Sequence, residues 1–257
     1  MNYRDIVEML AKAENERKPL EQLTATYPGL TIQDAYKIQL EGIAMKLTQG
    51  RKIIGKKIGL TSKGMQKLLG VNEPDYGHLL DNMLILEGEA CRREELLLPK
   101  VEGELAFILK DKLKGPGITI ADVLRATAGV MPAFEIVDSR IRDWKIKLPD
   151  TIADNASSAR LVLGSRLVPV QGLDLRLIGM VLEKNGEMVS SGAGAEVWGH
   201  PAASVAWLAN KLAEFDISLE AGEIILSGAV TAAEAAAAGD VFTLSFDGLG
   251  SLNLRFS

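Results

Sequence analysis

The chain has 257 residues, 47% of them hydrophobic and 25% charged, with a net charge of -5, so it can bury a full core and reads as an ordinary globular composition. The mild acidity and the lack of a dense Lys/Arg block argue against a nucleic-acid or anionic-membrane partner, because nothing would neutralise a row of phosphates. No uncharged run of about eighteen residues could span a bilayer and Met1–Asp5 has no apolar signal core, so a cytoplasmic location is expected.

Residues 2–18 place Ile6, Val7, Met9, Leu10 and Ala13 at helical spacing before Pro19, which predicts a first helix. Thr31 and Asp34 have capping-box spacing ahead of Ala35, Ile38, Leu40, Ile43, Ala44 and Leu47, and Gly50 supplies the stop, which predicts a second. Both would pack as a helical cap on the remainder of the chain. From residue 51 the texture changes to short strands. Ile53–Leu60 carries the pair Lys56-Lys57 near its end; consecutive strand residues face opposite ways, so one lysine is expected inward and the other in solvent. If Lys57 is the inward one, burial should lower its pKa and suit it to proton transfer. Thr61-Ser62 should open a short helix reaching Leu69. Asn72–His78, with Pro74 and Gly77, reads as a turn-rich loop able to rim a site.

Lys100–Leu109 is the most strongly apolar strand, yet it contains Glu102 and Glu104. Both share one face with Ala106 and Ile108, roughly 6 to 7 Å apart, where they repel unless a cation or shared proton neutralises them. Glu135 is a third acid flanked by apolar residues. Together Glu102, Glu104 and Glu135 make a hard oxygen set suited to Mg²⁺ or Mn²⁺. Cys91 is the single cysteine, so it forms no internal disulfide and reads as a bystander thiol; with two histidines in the chain, a histidine zinc site or a Ser-His-Asp arrangement has little support.

Thr119–Asp122 should cap a helix ending near Gly129. Ala153–Arg160 is small and polar without helical or strand period, and reads as a binding loop. Asn185-Gly186 marks a hairpin between 177–183 and 187–191. The glycine-rich Ser191–Glu196 lacks the strand and helix that a nucleotide-binding loop needs. His200-Pro201 opens a helix through Leu212, with His200 as an end-of-loop hydrogen bonder. Strands are expected at 224–226, 241–246 and 252–256, and 232–238 reads as a connector or short helix.

Lys57-Ile58-Gly59-Leu60-Thr61-Ser62, Glu73-Pro74-Asp75-Tyr76-Gly77, Glu102-Gly103-Glu104, Glu135-Ile136-Val137-Asp138-Ser139-Arg140, Ala153-Asp154-Asn155-Ala156-Ser157 and Gly228-Ala229 together resemble the hydratase/decarboxylase family of meta-cleavage pathways, within the fumarylacetoacetate hydrolase superfamily. That family includes 2-hydroxypenta-2,4-dienoate (2-keto-4-pentenoate) hydratase and 4-oxalocrotonate decarboxylase, and the resemblance covers essentially the whole chain. It implies an α+β fold: a mixed, mostly β, rolled or barrel-like catalytic unit over 51–257 with an N-terminal helical region over 1–50. It also implies a homo-oligomer, in some members complexed with a sister decarboxylase or hydratase. Mg²⁺ or Mn²⁺ would sit on Glu102, Glu104 and Glu135, with Lys57 and Asp75 catalytic. Leu60, Asp154, Asn155, Ser157 and Arg160 would contact a small 2-oxo or 2-hydroxydienoic acid.

The resemblance leaves the reaction divided. Asp75 fits a hydratase, because an acid there can orient or activate the added water. Ser157-Ser158-Ala159-Arg160 looks more like the decarboxylase version, with Arg160 able to pair with a second carboxylate. Hydration is the first reading and decarboxylation the second. A catalytically silent metal-binding scaffold is a distant third, since it has no reason to keep three uncompensated acids.

Overall fold

The computed structural model describes the backbone of residues 1–257 and every side chain except those of Met65, Leu68 and Leu69. In chain order, helices α1 (Tyr3–Glu16), α2 (Leu23–Thr26) and α3 (Ile32–Thr48) precede strand β1 (Ile53–Gly59), helix α4 (Lys63–Leu69) and strands β2 (Asp75–Leu80), β3 (Leu84–Ile85), β4 (Ala90–Cys91) and β5 (Lys100–Leu109). Helix α5 (Ile120–Ala126), strand β6 (Thr127–Val137), helix α6 (Leu148–Ala153) and strands β7 (Ser158–Leu163), β8 (Gly179–Lys184) and β9 (Glu187–Ala193) come next. Helix α7 (Pro201–Leu212) and strands β10 (Ile224–Ala229), β11 (Glu234–Ala235), β12 (Val241–Phe246) and β13 (Gly250–Phe256) complete the chain.

Helix boundaries follow from capping chemistry. The Asn2 side chain accepts from Arg4 N at the start of α1. Thr31 and Asp34 close a complete capping box on α3, and Thr119 and Asp122 do the same on α5, each satisfying donors that the first helical turn leaves orphaned. At α7, His200 Nδ1 accepts from Ala202 N at 3.0 Å, the end-of-loop role its position predicts.

Two sheets form the body. The larger runs β2-β1-β10-β5-β6-β7-β3, with β11 also paired to β5; the smaller runs β4-β13-β12-β8-β9. Strand β5 pairs antiparallel with both β10 and β6, so its two faces decide what the molecule encloses. Val101, Leu105 and Phe107 belong to the main core, with Phe242, Leu244 and Phe256 from the smaller sheet and Ile6, Val7 and Leu10 from α1. Ala106, on the opposite face, joins Ala133, Leu161, Leu226, Leu79, Leu80 and Ile43 in a second, separate apolar cluster. This second face is the one that Glu102 and Glu104 share.

Several expectations need correcting. Asn72–His78 is a loop only at its start: Asp75 to His78 lie in β2, fully buried, because pairing with β1 overrides the turn preference of Gly77. The helix at Thr119 ends at Ala126 and the chain passes directly into β6. Ala153–Arg160 is not one loop; α6, a short 3-10 turn at Asn155–Ser157 and β7 share it. Within 232–238, Glu234 and Ala235 pair with Lys100 and Val101 as a short strand.

Candidate active site

Glu102 pairs with Glu135 directly across the β5–β6 ladder, and Glu104 stands two residues along β5. Cross-strand partners and residues two apart share a face, so the three carboxylates converge without any loop. One oxygen from each lies within 4.8 Å of the others. Glu104 and Glu135 are wholly buried. Gly228 N donates to Glu104 Oε2 at 2.8 Å, but Glu104 Oε1 and both Glu135 oxygens accept no aligned hydrogen bond. Orphaned buried carboxylate oxygens are costly, and a hard divalent cation suits this all-oxygen donor set.

Lys57 is on the same face. Its register partners are Leu226 on β10 and Gly77 on β2, and its Nζ lies 3.3 Å from Glu135 Oε2. Burial alone would pull this ammonium down, but the Glu135, Asp75, Glu102 and Glu104 carboxylates outweigh it and hold the pKa above the usual lysine value. The lowered pKa expected from burial is therefore reversed by the carboxylates around Lys57. Lys56 does not meet solvent either: it points to the other face, 2% exposed, and clasps Glu223 at 2.6 and 2.8 Å.

Burial is also the main force on the acids. It pushes Asp75 up to about 6 against the opposing pull of Lys57, and Glu102 up to about 7 against the same pull. Glu104 is driven well above the carboxylate range by burial and then by Glu135 and Glu102, and Glu135 is raised by burial despite Lys57. Asp75 sits opposite Gly59 on β2, next to Lys57, and its Oδ1 is buried without a hydrogen-bond partner.

The other expected site residues separate. Leu60 takes a left-handed conformation just after β1, and its carbonyl accepts from Gln66 Nε2 at 2.8 Å; it turns the chain away from the Lys57 strand. Asp154 spends its carboxylate on Arg140, accepting from its Nε and its backbone N. Asn155 bonds both ways to the His78 backbone, at 2.8 and 2.9 Å, and the Ser157 hydroxyl lies 3.4 Å from that of Thr151. The side chains of Asp154 and Asn155 are thus occupied in fixing β2 and the 3-10 turn. Arg160 pairs with Ile136, next to Glu135, which puts it on the face opposite the carboxylates, where its NH2 reaches Glu95 at 3.2 Å. Gly228 belongs to one of the resembling motifs, yet sequence alone assigns it no role. Its φ of +113° disfavours any side chain, and a Cβ there would collide with Thr61 Oγ1, so glycine is what lets this backbone present its N–H to Glu104.

The fumarylacetoacetate (FAA) hydrolase C-terminal family model matches residues 74–257. The chain belongs to this family. Within it the chain falls in the hydratase/decarboxylase group. It is 46% identical over 250 residues to 2-hydroxyhexa-2,4-dienoate hydratase of Comamonas testosteroni, covering 96% of this chain and 95% of that one. Identity to 4-oxalocrotonate decarboxylase of Pseudomonas putida is 43% over 251 residues, covering 98% and 95%. The solved structure of 4-oxalocrotonate decarboxylase from Pseudomonas putida G7, complexed with magnesium and adipate, superposes with a TM-score of 0.96 at 39% identity over 100% of this chain and 99% of that one. The α+β architecture with its N-terminal helices is the family's fold.

Proposed function

We propose that this protein is a divalent-metal-dependent lyase that hydrates 2-hydroxypenta-2,4-dienoate (2-keto-4-pentenoate), or a close analogue, to a 4-hydroxy-2-oxo acid in aromatic meta-cleavage catabolism. The observation that carries this reading is a buried Asp75 carboxyl, its Oδ1 without a hydrogen-bond partner, beside Lys57 on the face of the three-glutamate cluster. Glu102, Glu104 and Glu135 would hold Mg²⁺ or Mn²⁺. When bound, the ion supplies Lewis-acid stabilisation of negative charge at the 2-oxo acid end of the substrate.

The remaining work belongs to the chain. Lys57, aimed along this face, moves the proton that interconverts the enol and ketone forms. Asp75 orients the water that adds at the distal carbon and accepts its proton. The apolar wall of Ala106, Ala133, Leu161 and Leu226 keeps bulk water from the same face, which strengthens each electrostatic contact. Leu60 and Ser157 remain proposed substrate contacts through their backbone or hydroxyl groups, whereas Asp154 and Asn155 act by shaping the site.

Decarboxylation of 4-oxalocrotonate (2-oxo-3-hexenedioate) is the second reading, favoured by an identity to the decarboxylase nearly equal to that with the hydratase. Against it, Arg160 faces away from the cluster, which removes the residue offered for a second carboxylate. Residues 1–50 form the helical region on the 51–257 catalytic unit; the protein works in the cytoplasm as a homo-oligomer, with a sister enzyme as a candidate partner. Purified protein with Mg²⁺ should consume the absorbance of 2-hydroxypenta-2,4-dienoate and release little CO₂ from 2-oxo-3-hexenedioate. The reverse pattern selects the decarboxylase, and inertness toward both rejects the enzymatic reading.

A further inference from the structure

Lys57 and Asp75 occupy opposite corners of a square on the β1–β2 ladder, and glycines occupy the other two. The register pairs Lys57 with Gly77 and Gly59 with Asp75, and all four positions point to one face. A Cβ on Gly59 would run into Asp75 Oδ1 and lie 3.3 Å from Lys57 Nζ. Both functional groups therefore lean into the space that this residue leaves empty. The atoms in the way are the ends of side chains, which can swing aside, so a methyl here moves the carboxyl and spares the backbone. Gly77 differs: its Cβ would meet the Asn155 carbonyl oxygen at 2.5 Å, a backbone atom that cannot yield cheaply.

We infer that Gly59 is a positioning residue whose missing side chain lets the Asp75 carboxyl fold over β1 to stand beside Lys57. The inference rests on the reading of these two as the proton-handling and water-handling pair.

The test is a double-mutant cycle on the magnesium-loaded enzyme: wild type, Gly59→Ala, Asp75→Ala and the double variant, assayed with 2-hydroxypenta-2,4-dienoate, melted thermally and titrated calorimetrically with Mg²⁺. Gly59→Ala should lower kcat about 100-fold with KM held within about threefold. In the Asp75→Ala background the same methyl should cost less than about twofold, because its obstacle is gone. Any drop in Tm caused by Gly59→Ala should likewise vanish in the double variant, and Mg²⁺ affinity should stay within about threefold throughout. Full activity of Gly59→Ala, or equal losses in both backgrounds, overturns the inference, as does a Tm drop that persists without Asp75. If the wild type turns over no substrate, the functional reading falls by that fact, and the coupling in Tm still decides whether Gly59 makes room for Asp75.

Discussion

Replacing Glu104 with glutamine should stabilise the protein without metal and weaken it with metal. The three carboxylates lie within 4.8 Å of one another, and two full charges about 5 Å apart repel by about 3 kcal/mol at an effective dielectric constant near 20. Burial, then the Glu135 and Glu102 charges, hold Glu104 well above its ordinary value of 4.5, the same repulsion expressed as a preference for the neutral form. Glutamine is nearly isosteric, carries no charge and still accepts the Gly228 N–H.

In EDTA at pH 7, Glu104→Gln should therefore melt about 5–10 °C above wild type. The sign with pH follows from the raised folded pKa: the stability it contributes is present below 4.5 and is lost as pH rises toward the folded value, so the gap should narrow near pH 4.5 and widen to pH 7. With Mg²⁺ at about 1,000 times its Kd, wild type gains about 4 kcal/mol and the variant, lacking one ligand, gains little, so the order reverses. Thermal melts with and without chelator decide it. A variant less stable than wild type in EDTA, or one that gains as much from Mg²⁺, would refute the cluster as a metal centre.

His78 tests the coupling between the N-terminal helices and β2. It is 2% exposed, its Nδ1 lies 3.2 Å from Gln39 Oε1, and burial followed by the nearby Lys56 charge lowers its pKa to about 3. A lowered folded pKa means stability that is full above the unfolded value of 6.5 and is lost as pH falls toward 3; between pH 7 and 5 the loss is about 2 kcal/mol. His78→Leu should cost about 1–3 kcal/mol at pH 7.5 through the orphaned Gln39 oxygen, yet show an acid slope shallower by about 2 kcal/mol in urea titrations at the two pH values; an unchanged slope removes His78 as its source. Arg160→Met should leave kcat/KM for mono- and dicarboxylic substrates within about twofold, and a selective loss on the diacid would put the guanidinium back in the site.

The carboxylate centre is legible in the sequence because it needs only two adjacent strands. Alternation along 100–109 fixes the face of Glu102 and Glu104, and the apolar flanks of Glu135 mark it as buried. The capped helices and the Asn185-Gly186 hairpin are legible for the same reason: each signal lies within a few residues of the feature it specifies. Lys56 escapes such reasoning because its partner, Glu223, is 167 positions away and only the parallel β1–β10 pairing brings them together. Asp75 looks like a turn residue because Pro74 and Gly77 dominate locally, while the reason for Gly77, the Asn155 backbone packed over it, comes from the far side of the chain.

Arg160 shows a deeper limit. Alternation over 158–163 separates odd from even positions but does not say which set faces the carboxylates. Which face an odd or even position takes depends on how the chain enters it, and here it enters through three consecutive left-handed residues, Asn155, Ala156 and Ser157. A further irregularity lies where β7 meets β6, between Ile136 and Val137, and either feature resets the phase that side chains keep with respect to the sheet. The motif around Arg160 therefore states which residues are near the cluster along the chain but not which of them look at it. Asp154 belongs to the same problem: its ion pair with the buried Arg140 holds the left-handed turn in place, so this acid governs which way β7 faces and contributes to the site by fixing its geometry.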